Sequence, residues 1–198
     1  MFYWIENDIQ QRYVYAYKDI SFEGYNRETC PQCGRKNAIA HYTGRNSHLL
    51  LEGRGTYPDF LQFCGAGNRL FIVSEKALNI FEQYGITGYY TYAPVTFDSS
   101  LVATNTKKMI VPDYFNLEIG GRIDLDLRAM HLKQKKKCAT CGQFEWSRQK
   151  LDPMILDRTS WDGSDLCTLT SMQGFRICSE VFVRLVNDNK LSGFSFHV

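Results

Sequence analysis

Cys30-Pro31-Gln32-Cys33-Gly34 and Cys138-Ala139-Thr140-Cys141-Gly142 place one short motif twice in a chain of 198 residues. In each copy two thiols lie three positions apart, close enough to reach a single ion. The glycine after the second Cys lets the turn take a positive φ and aim backbone N–H groups at the sulfurs. Four cysteines spaced CxxC…CxxC supply a closed S₄ site, the set Zn²⁺ prefers where its role is structural. A chain carrying such a clasp need not draw all of its stability from apolar burial.

The two copies are offset by 108 positions, and other segments follow them in the same order. Pro58-Asp59-Phe60 parallels Ser164-Asp165-Leu166. Phe71-Ile72-Val73-Ser74-Glu75 parallels Arg176-Ile177-Cys178-Ser179-Glu180, and Ile86-Thr87-Gly88-Tyr89 parallels Leu191-Ser192-Gly193-Phe194. Order is kept while the spacing drifts little, the signature of an internal duplication. The polar stretch from Asp98 to Thr106 is the natural seam, which divides the chain into unit 1–105 and unit 106–198, packed as one globular body.

Within each unit the local signals agree. Ser74 and Ser179 are suited to cap helices, with Glu75 and Glu180 placed favourably for the helix dipole. Ala77, Leu78 and Phe81 recur at helical spacing, as do Phe182, Leu185 and Val186. The first helix is expected to stop before Gly85, and the second to fray through Asn187-Asp188-Asn189. Strands are predicted before the helices at Leu70–Val73 and Phe175–Cys178, and after them at Gly88–Tyr92 and Gly193–His197. Alternation at Tyr13–Tyr17 and Ile123–Leu127 predicts two further half-buried strands. The fold class is therefore α+β: two duplicated strand-rich units, each with a CxxCG zinc knuckle and a short strand-helix-strand segment, joined by a shared Zn site.

A shared site would use Cys30, Cys33, Cys138 and Cys141. The competing arrangement is two separate sites, completed by His41 and His48 in one unit or His131 in the other. The shared site is preferred because no histidine follows the second knuckle until His197. Lys133-Gln134-Lys135-Lys136-Lys137 runs into that knuckle, where its charge would offset a net −2 tetrathiolate centre. It could also contact phosphate or an acidic protein. Seven cysteines is an odd number, and Cys64, Cys167 and Cys178 sit in apolar stretches that suit buried thiols.

Several functions find no support in these residues. No apolar run approaches the roughly 20 residues of a membrane span. The first residues lack a basic stretch followed by an apolar one, so no export signal is expected and the thiols are read as reduced, in the cytoplasm. The formal net charge of +2 is far from the field of a dedicated nucleic-acid binder. The CxxC motifs do not clearly open helices, which disfavours a redox role. The deaminase pattern of His-x-Glu before Pro-Cys-x-x-Cys is absent. Gly65-Ala66-Gly67-Asn68 lacks the Gly-Lys-Ser/Thr of a phosphate loop and reads as a turn. Asp124 and Asp126 are explained as the wet side of a strand, and no nucleophile-base pair stands out, so no catalytic residue is assigned.

The duplicated Cys-x-x-Cys-Gly, with a Ser-Glu helix and Gly-aromatic strand in each half, resembles the double-CxxCG motif family of bacterial toxin-immunity proteins. The tail Trp161-Asp162-Gly163-Ser164-Asp165-Leu166, then Ile177-Cys178-Ser179-Glu180, then Leu191-Ser192-Gly193-Phe194, is similar to tails of related immunity families. The resemblance implies a non-enzymatic cytoplasmic antidote that binds a cognate toxin domain and blocks it. Tyr89-Tyr90-Thr91-Tyr92 and the loop with Arg45, Arg54 and Tyr57 are the candidate contact stretches. The residues also leave open a second class, a zinc-ribbon nucleic-acid-binding or regulatory module with the lysine cluster on phosphate.

Overall fold

Each Ser-Glu segment opens a helix, and each helix is flanked by the strands its sequence predicts. A computed structural model of the chain describes residues 1–8, 13–19, 29–34, 47–53, 55–62, 71–98, 110–131, 138–140, 155–169 and 175–198. The strands are β1 (Phe2–Asn7), β2 (Tyr15–Asp19), β3 (His48–Glu52), β4 (Phe60–Leu61), β5 (Phe71–Ser74), β6 (Tyr89–Pro94), β7 (Thr96–Asp98), β8 (Tyr114–Ile119), β9 (Gly121–Leu125), β10 (Leu156–Asp157), β11 (Leu166–Leu169), β12 (Arg176–Ser179) and β13 (Phe194–His197). The helices are α1 (Glu75–Gln83) and α2 (Glu180–Asp188), with one 3-10 turn at Arg158–Ser160. The described residues are thus strand-rich with two α-helices, an α+β arrangement. Among them no helix is long and apolar enough to cross a membrane.

The caps act as their chemistry requires. Ser74 Oγ accepts from the Ala77 N–H at 3.2 Å, and Ser179 Oγ from the Phe182 N–H at 3.3 Å, each satisfying a donor that the first turn leaves open. At the other end, Gly85 and Ile86 N–H return to Glu82 and Phe81 carbonyls. Lys190 and Leu191 N–H return to Asn187 and Val186 in the same pattern. The fraying expected for α2 does not occur. Leu191 is buried beside Val186 and fixes the end of the helix, and the Asn189 side chain caps the Leu185 carbonyl at 2.9 Å.

Three sheets are built from these strands. One runs β10-β9-β11-β12-β1-β13, one β4-β5-β8-β6, and one β2-β3-β7. The antiparallel series β4-β5-β8-β6 has a counterpart in β11-β12-β1-β13, also antiparallel throughout. In both, the strand lying between the two that flank the helix comes from outside that strand-helix-strand segment, β8 from the residues after β7 and β1 from the other end of the chain. β8 enters between β5 and β6, and β1 enters between β12 and β13. The seam near residue 105 lies outside the described residues.

Because side chains alternate along a strand, β5 and β12, buried at every position, each pack both faces. Phe71 and Val73 of β5 join a central cluster, while Ile72 joins a second with Leu49, Leu51 and Tyr114. Cys178 of β12 belongs to the central cluster, and Ile177 to a third with Ile123 and Cys167. The central cluster draws on both helices: Phe81 and Phe182 are fully buried with ring centroids 5.1 Å apart. Such a ring pair adds about 0.5–1.5 kcal/mol to what area burial contributes.

Two aspartates then cross-link the matching segments. Asp59 accepts from Ser74 Oγ (2.9 Å) through one oxygen and from the Ser192 N–H (2.9 Å) and Oγ (3.0 Å) through the other. Asp165 accepts from Ser179 Oγ (2.7 Å) and from the Thr87 N–H and Oγ (both 3.1 Å). Each carboxylate ties the cap of one helix to the strand entry that follows the other helix.

Candidate metal centre

The first knuckle is a tight turn, closed by the Gly34 N–H on the Cys30 carbonyl at 2.9 Å, with Gly34 at φ +67° as the motif demands. That turn buries Cys30 and leaves Cys33 exposed, while Cys138 from the second knuckle is half-buried. The Cys30 and Cys138 sulfurs are 3.6 Å apart, and the sulfurs of Cys30, Cys33 and Cys138 all lie within 4.8 Å of one another. Tetrahedral coordination with Zn–S bonds near 2.3 Å sets sulfurs about 3.8 Å apart. The three thiols fit an ion held between them. Cys141, the fourth ligand the sequence predicts, lies outside the described residues, as does Gly142.

Local hydrogen bonds act on one of these thiols. The backbone N–H of Cys33 holds the Cys30 thiol below its ordinary pKa; burial opposes this, and the Gln32 N–H adds to the lowering. The knuckles also meet through hydrogen bonds on a single side chain of the first. The Gln32 side-chain carbonyl accepts from the Thr140 N–H (3.0 Å), the Thr140 hydroxyl (2.7 Å) and the Cys138 thiol (3.4 Å). Sequence reasoning passed over Gln32 and Thr140. Their signal is a polar residue directly before the second Cys of each motif.

Two other cysteines take the opposite character. Cys167 and Cys178 are fully buried, as their apolar neighbours predict. Burial pushes the Cys167 thiol up to about 12, with the Asp162 charge adding to the rise. It raises Cys178 further still. These thiols stay protonated and unreactive, whereas the Cys30 thiol is shifted the other way. Cys64 lies outside the described residues.

The histidines weighed as alternative ligands are placed elsewhere or outside the described residues. His48 Nδ1 is 2.7 Å from Thr96 Oγ1 across the β3–β7 pairing, and His131 stands at φ +52° in the turn after β9. His41 and the Lys133–Lys137 run lie outside the described residues, along with Arg45, Arg54 and the Gly65–Asn68 segment.

The remaining expectations divide. Tyr90 is 65% exposed on β6, while Tyr89 packs on the central cluster and Tyr57 on the second. Asp124 stays on β9, but β9 ends at Leu125. Asp126 instead opens a turn, its carboxylate accepting from the Ala129 N–H at 2.8 Å. Compared with protein-family models and with curated proteins, the chain matches none.

Proposed function

We propose that this chain is an immunity protein: a non-enzymatic, cytoplasmic antidote that binds a cognate bacterial toxin domain in a stoichiometric complex and neutralises it. The observation that carries the reading is the meeting of Cys30 and Cys33 with Cys138, whose motifs lie 108 positions apart in sequence. The paired CxxCG of the resemblance is thereby given a mechanical purpose. Cys30, Cys33, Cys138 and Cys141 hold one structural Zn²⁺ between two duplicated units. The ion supplies no chemistry beyond cohesion, and by the standard of such knuckles it is worth on the order of 10 kcal/mol or more in apparent folding energy.

An inhibitor of this kind acts through a surface that keeps its shape. The aspartate ties and the shared helix cluster brace the two sheets against each other, so the partner meets a preorganised face and little ordering entropy is spent on binding.

The test is genetic and biochemical together. A toxin-tipped reading frame should neighbour this one, and co-expression should rescue cells from that toxin. The purified pair should form a one-to-one complex without nucleic acid. Failure to rescue and to bind would sink the reading, as would association that depends on nucleic acid and falls steeply with salt. For the metal, elemental analysis should find one zinc per chain, and Cys30→Ser should lose it.

A further inference from the structure

We infer that the knuckle thiols are also a site of covalent modification, in which Cys30 and Cys138 become joined by a disulfide when the metal is absent and a small disulfide such as oxidised glutathione is present. The inference rests on sulfur positions and exposure, and it stands whether or not the immunity reading does.

The pairing follows from placement. Cys30 Sγ and Cys138 Sγ are 3.6 Å apart, within reach of bond formation after a small approach. Gln32 and Thr140 hold the two turns in register through hydrogen bonds that involve neither a metal nor a sulfur–sulfur bond. Cys30 is 1% exposed, which shields it from a bulky oxidant, whereas Cys138 is open to solvent on one side. Cys33 is more exposed still, but of the two sulfurs 3.6 Å apart Cys138 is the one an oxidant can reach, and Cys30 is the thiol beside it that resolves the product. Cys167 and Cys178 are buried in apolar clusters and take no part.

The chemistry is two successive exchanges. The Cys138 thiolate attacks oxidised glutathione, forming a Cys138–glutathione mixed disulfide and releasing one glutathione thiolate. The Cys30 thiolate then attacks the Cys138 sulfur, forming the Cys30–Cys138 bond and releasing the second glutathione thiolate. The protein loses two electrons and two protons; one oxidised glutathione becomes two reduced ones. A Cys30–Cys33 bond is the competing product. The Cys33 sulfur also lies within 4.8 Å of Cys30, so what favours the Cys30–Cys138 bond is the 3.6 Å separation of those two sulfurs together with the Gln32–Thr140 contacts that hold the turns in register.

The bond would span 108 residues and clasp the same two motifs that the ion clasps. The site would then exchange one cross-link for another as conditions turn oxidising, keeping the knuckles together in either state. Bound zinc occupies the thiolates and should slow the reaction.

The experiment uses the full chain, as purified and after chelation, treated with oxidised glutathione. Trypsin cuts after Arg27, Arg35, Lys137 and Arg148, so the product should contain fragment 28–35 joined to fragment 138–148 with no retained glutathione. The link should form at least about tenfold faster after chelation, since metal-bound thiolates are poor nucleophiles. Cys33→Ser and Cys141→Ser should each keep the link, and Cys30→Ser should stop at a glutathione adduct on Cys138. A product confined to Cys30–Cys33, stable adducts without any cross-link, or scrambling into Cys64, Cys167 and Cys178 would overturn the inference. Zinc release measured alongside the cross-link distinguishes this failure from an absent metal, and toxin binding is assayed separately.

Discussion

The sheet containing β5 and the sheet containing β12 use one plan with different side chains. Ala77 and Phe81 of α1 stand where α2 has Phe182 and Val186, so each helix offers one ring at a different turn and the two rings meet in the middle. Phe71 stands where β12 has Arg176, and the Arg176 guanidinium lies over the rings of Phe60 and Phe71 at 5.6 and 5.7 Å. Burial there pushes Arg176 down to about 10, still far above neutral pH, so it remains charged. The Pro58 carbonyl receives the Tyr114 hydroxyl at 2.6 Å, and the matching Ser164 carbonyl receives the Trp161 indole N–H at 2.8 Å. What stays the same is the backbone route, the serine caps and the aspartate ties. The plan therefore depends on hydrogen-bonding groups at fixed positions, and apolar volume is redistributed around them.

The largest effect should come from separating the two halves. Fragment 1–105 lacks β8, and fragment 106–198 lacks β1, so each would be missing the strand that lies between the two flanking its helix. Each fragment alone should be unfolded by circular dichroism, and mixing the two should restore the native spectrum. A fragment that folds alone would show that one sheet does not need the exchanged strand, and would break the equivalence of the two.

Next in size are Gly88 and Gly193. They stand at φ +90° and +87°, and a Cβ at either would run into the carbonyl oxygen of Leu166 or Phe60, respectively. Gly88→Ala and Gly193→Ala should each cost about 3 kcal/mol or more, combining backbone strain with a clash that rigid backbone cannot relieve. Urea midpoints would measure both. Equal losses would support one plan used twice; a tolerated Ala at one site would locate where the two depart.

How much of this could be read from residues depends on how local the cause is. The serine caps, the Gly85 stop and the thiol spacing are decided within a few residues, and Ser74, Ser179 and Gly34 behave accordingly. The convergence of Cys30 with Cys138 was legible because one CxxC cannot complete a tetrahedral site. The exchange of β1 and β8 was not. Phe2-Tyr3-Trp4-Ile5 is mostly half-buried without clean alternation, and nothing within a strand names a partner some 175 residues away. The end of α2 was misread because Asn187-Asp188-Asn189 are poor helix formers in isolation, whereas Leu191 burial overrides that preference. Asp59 and Asp165 showed as a matched pair, but their role depends on Ser192 and Thr87 arriving from the other sheet.

Smaller effects should follow from those two aspartates. Asp59→Ala and Asp165→Ala each remove the three hydrogen bonds that tie a serine cap to a strand entry, a loss of about 1–2 kcal/mol in either case. Lys76 also reaches Asp59 at 3.2 Å, whereas the matching place on α2 is Val181, which is exposed. The Lys76 side chain is 58% exposed, so that ion pair adds less than about 0.5 kcal/mol. Lys76→Val should accordingly be nearly silent in thermal denaturation, and the two alanine variants should differ by no more than that amount. A gap of more than about 1 kcal/mol between them would mean that one tie carries a load the other does not.

The smallest effect isolates a single backbone angle. Both helices close with the residue after the cap in the left-handed region, but α1 uses Gly85 at φ +66° and α2 uses Lys190 at φ +51°. Both positions are exposed, and a Cβ at Gly85 would meet nothing within 4 Å, so side-chain contact does not decide between them. A lysine held at positive φ costs about 1–2 kcal/mol relative to its preferred basin. Glycine avoids that strain but raises the entropy of the unfolded chain. Lys190→Gly should therefore stabilise the protein by about 0.5–1 kcal/mol, seen as a higher urea midpoint at unchanged slope. Gly85→Lys should lose a similar amount, the two helix ends being closed by the same pair of hydrogen bonds. If Lys190→Gly destabilised the chain instead, its side chain would hold a stabilising contact that Gly85 has no means to make, and the two helix ends would cease to be interchangeable.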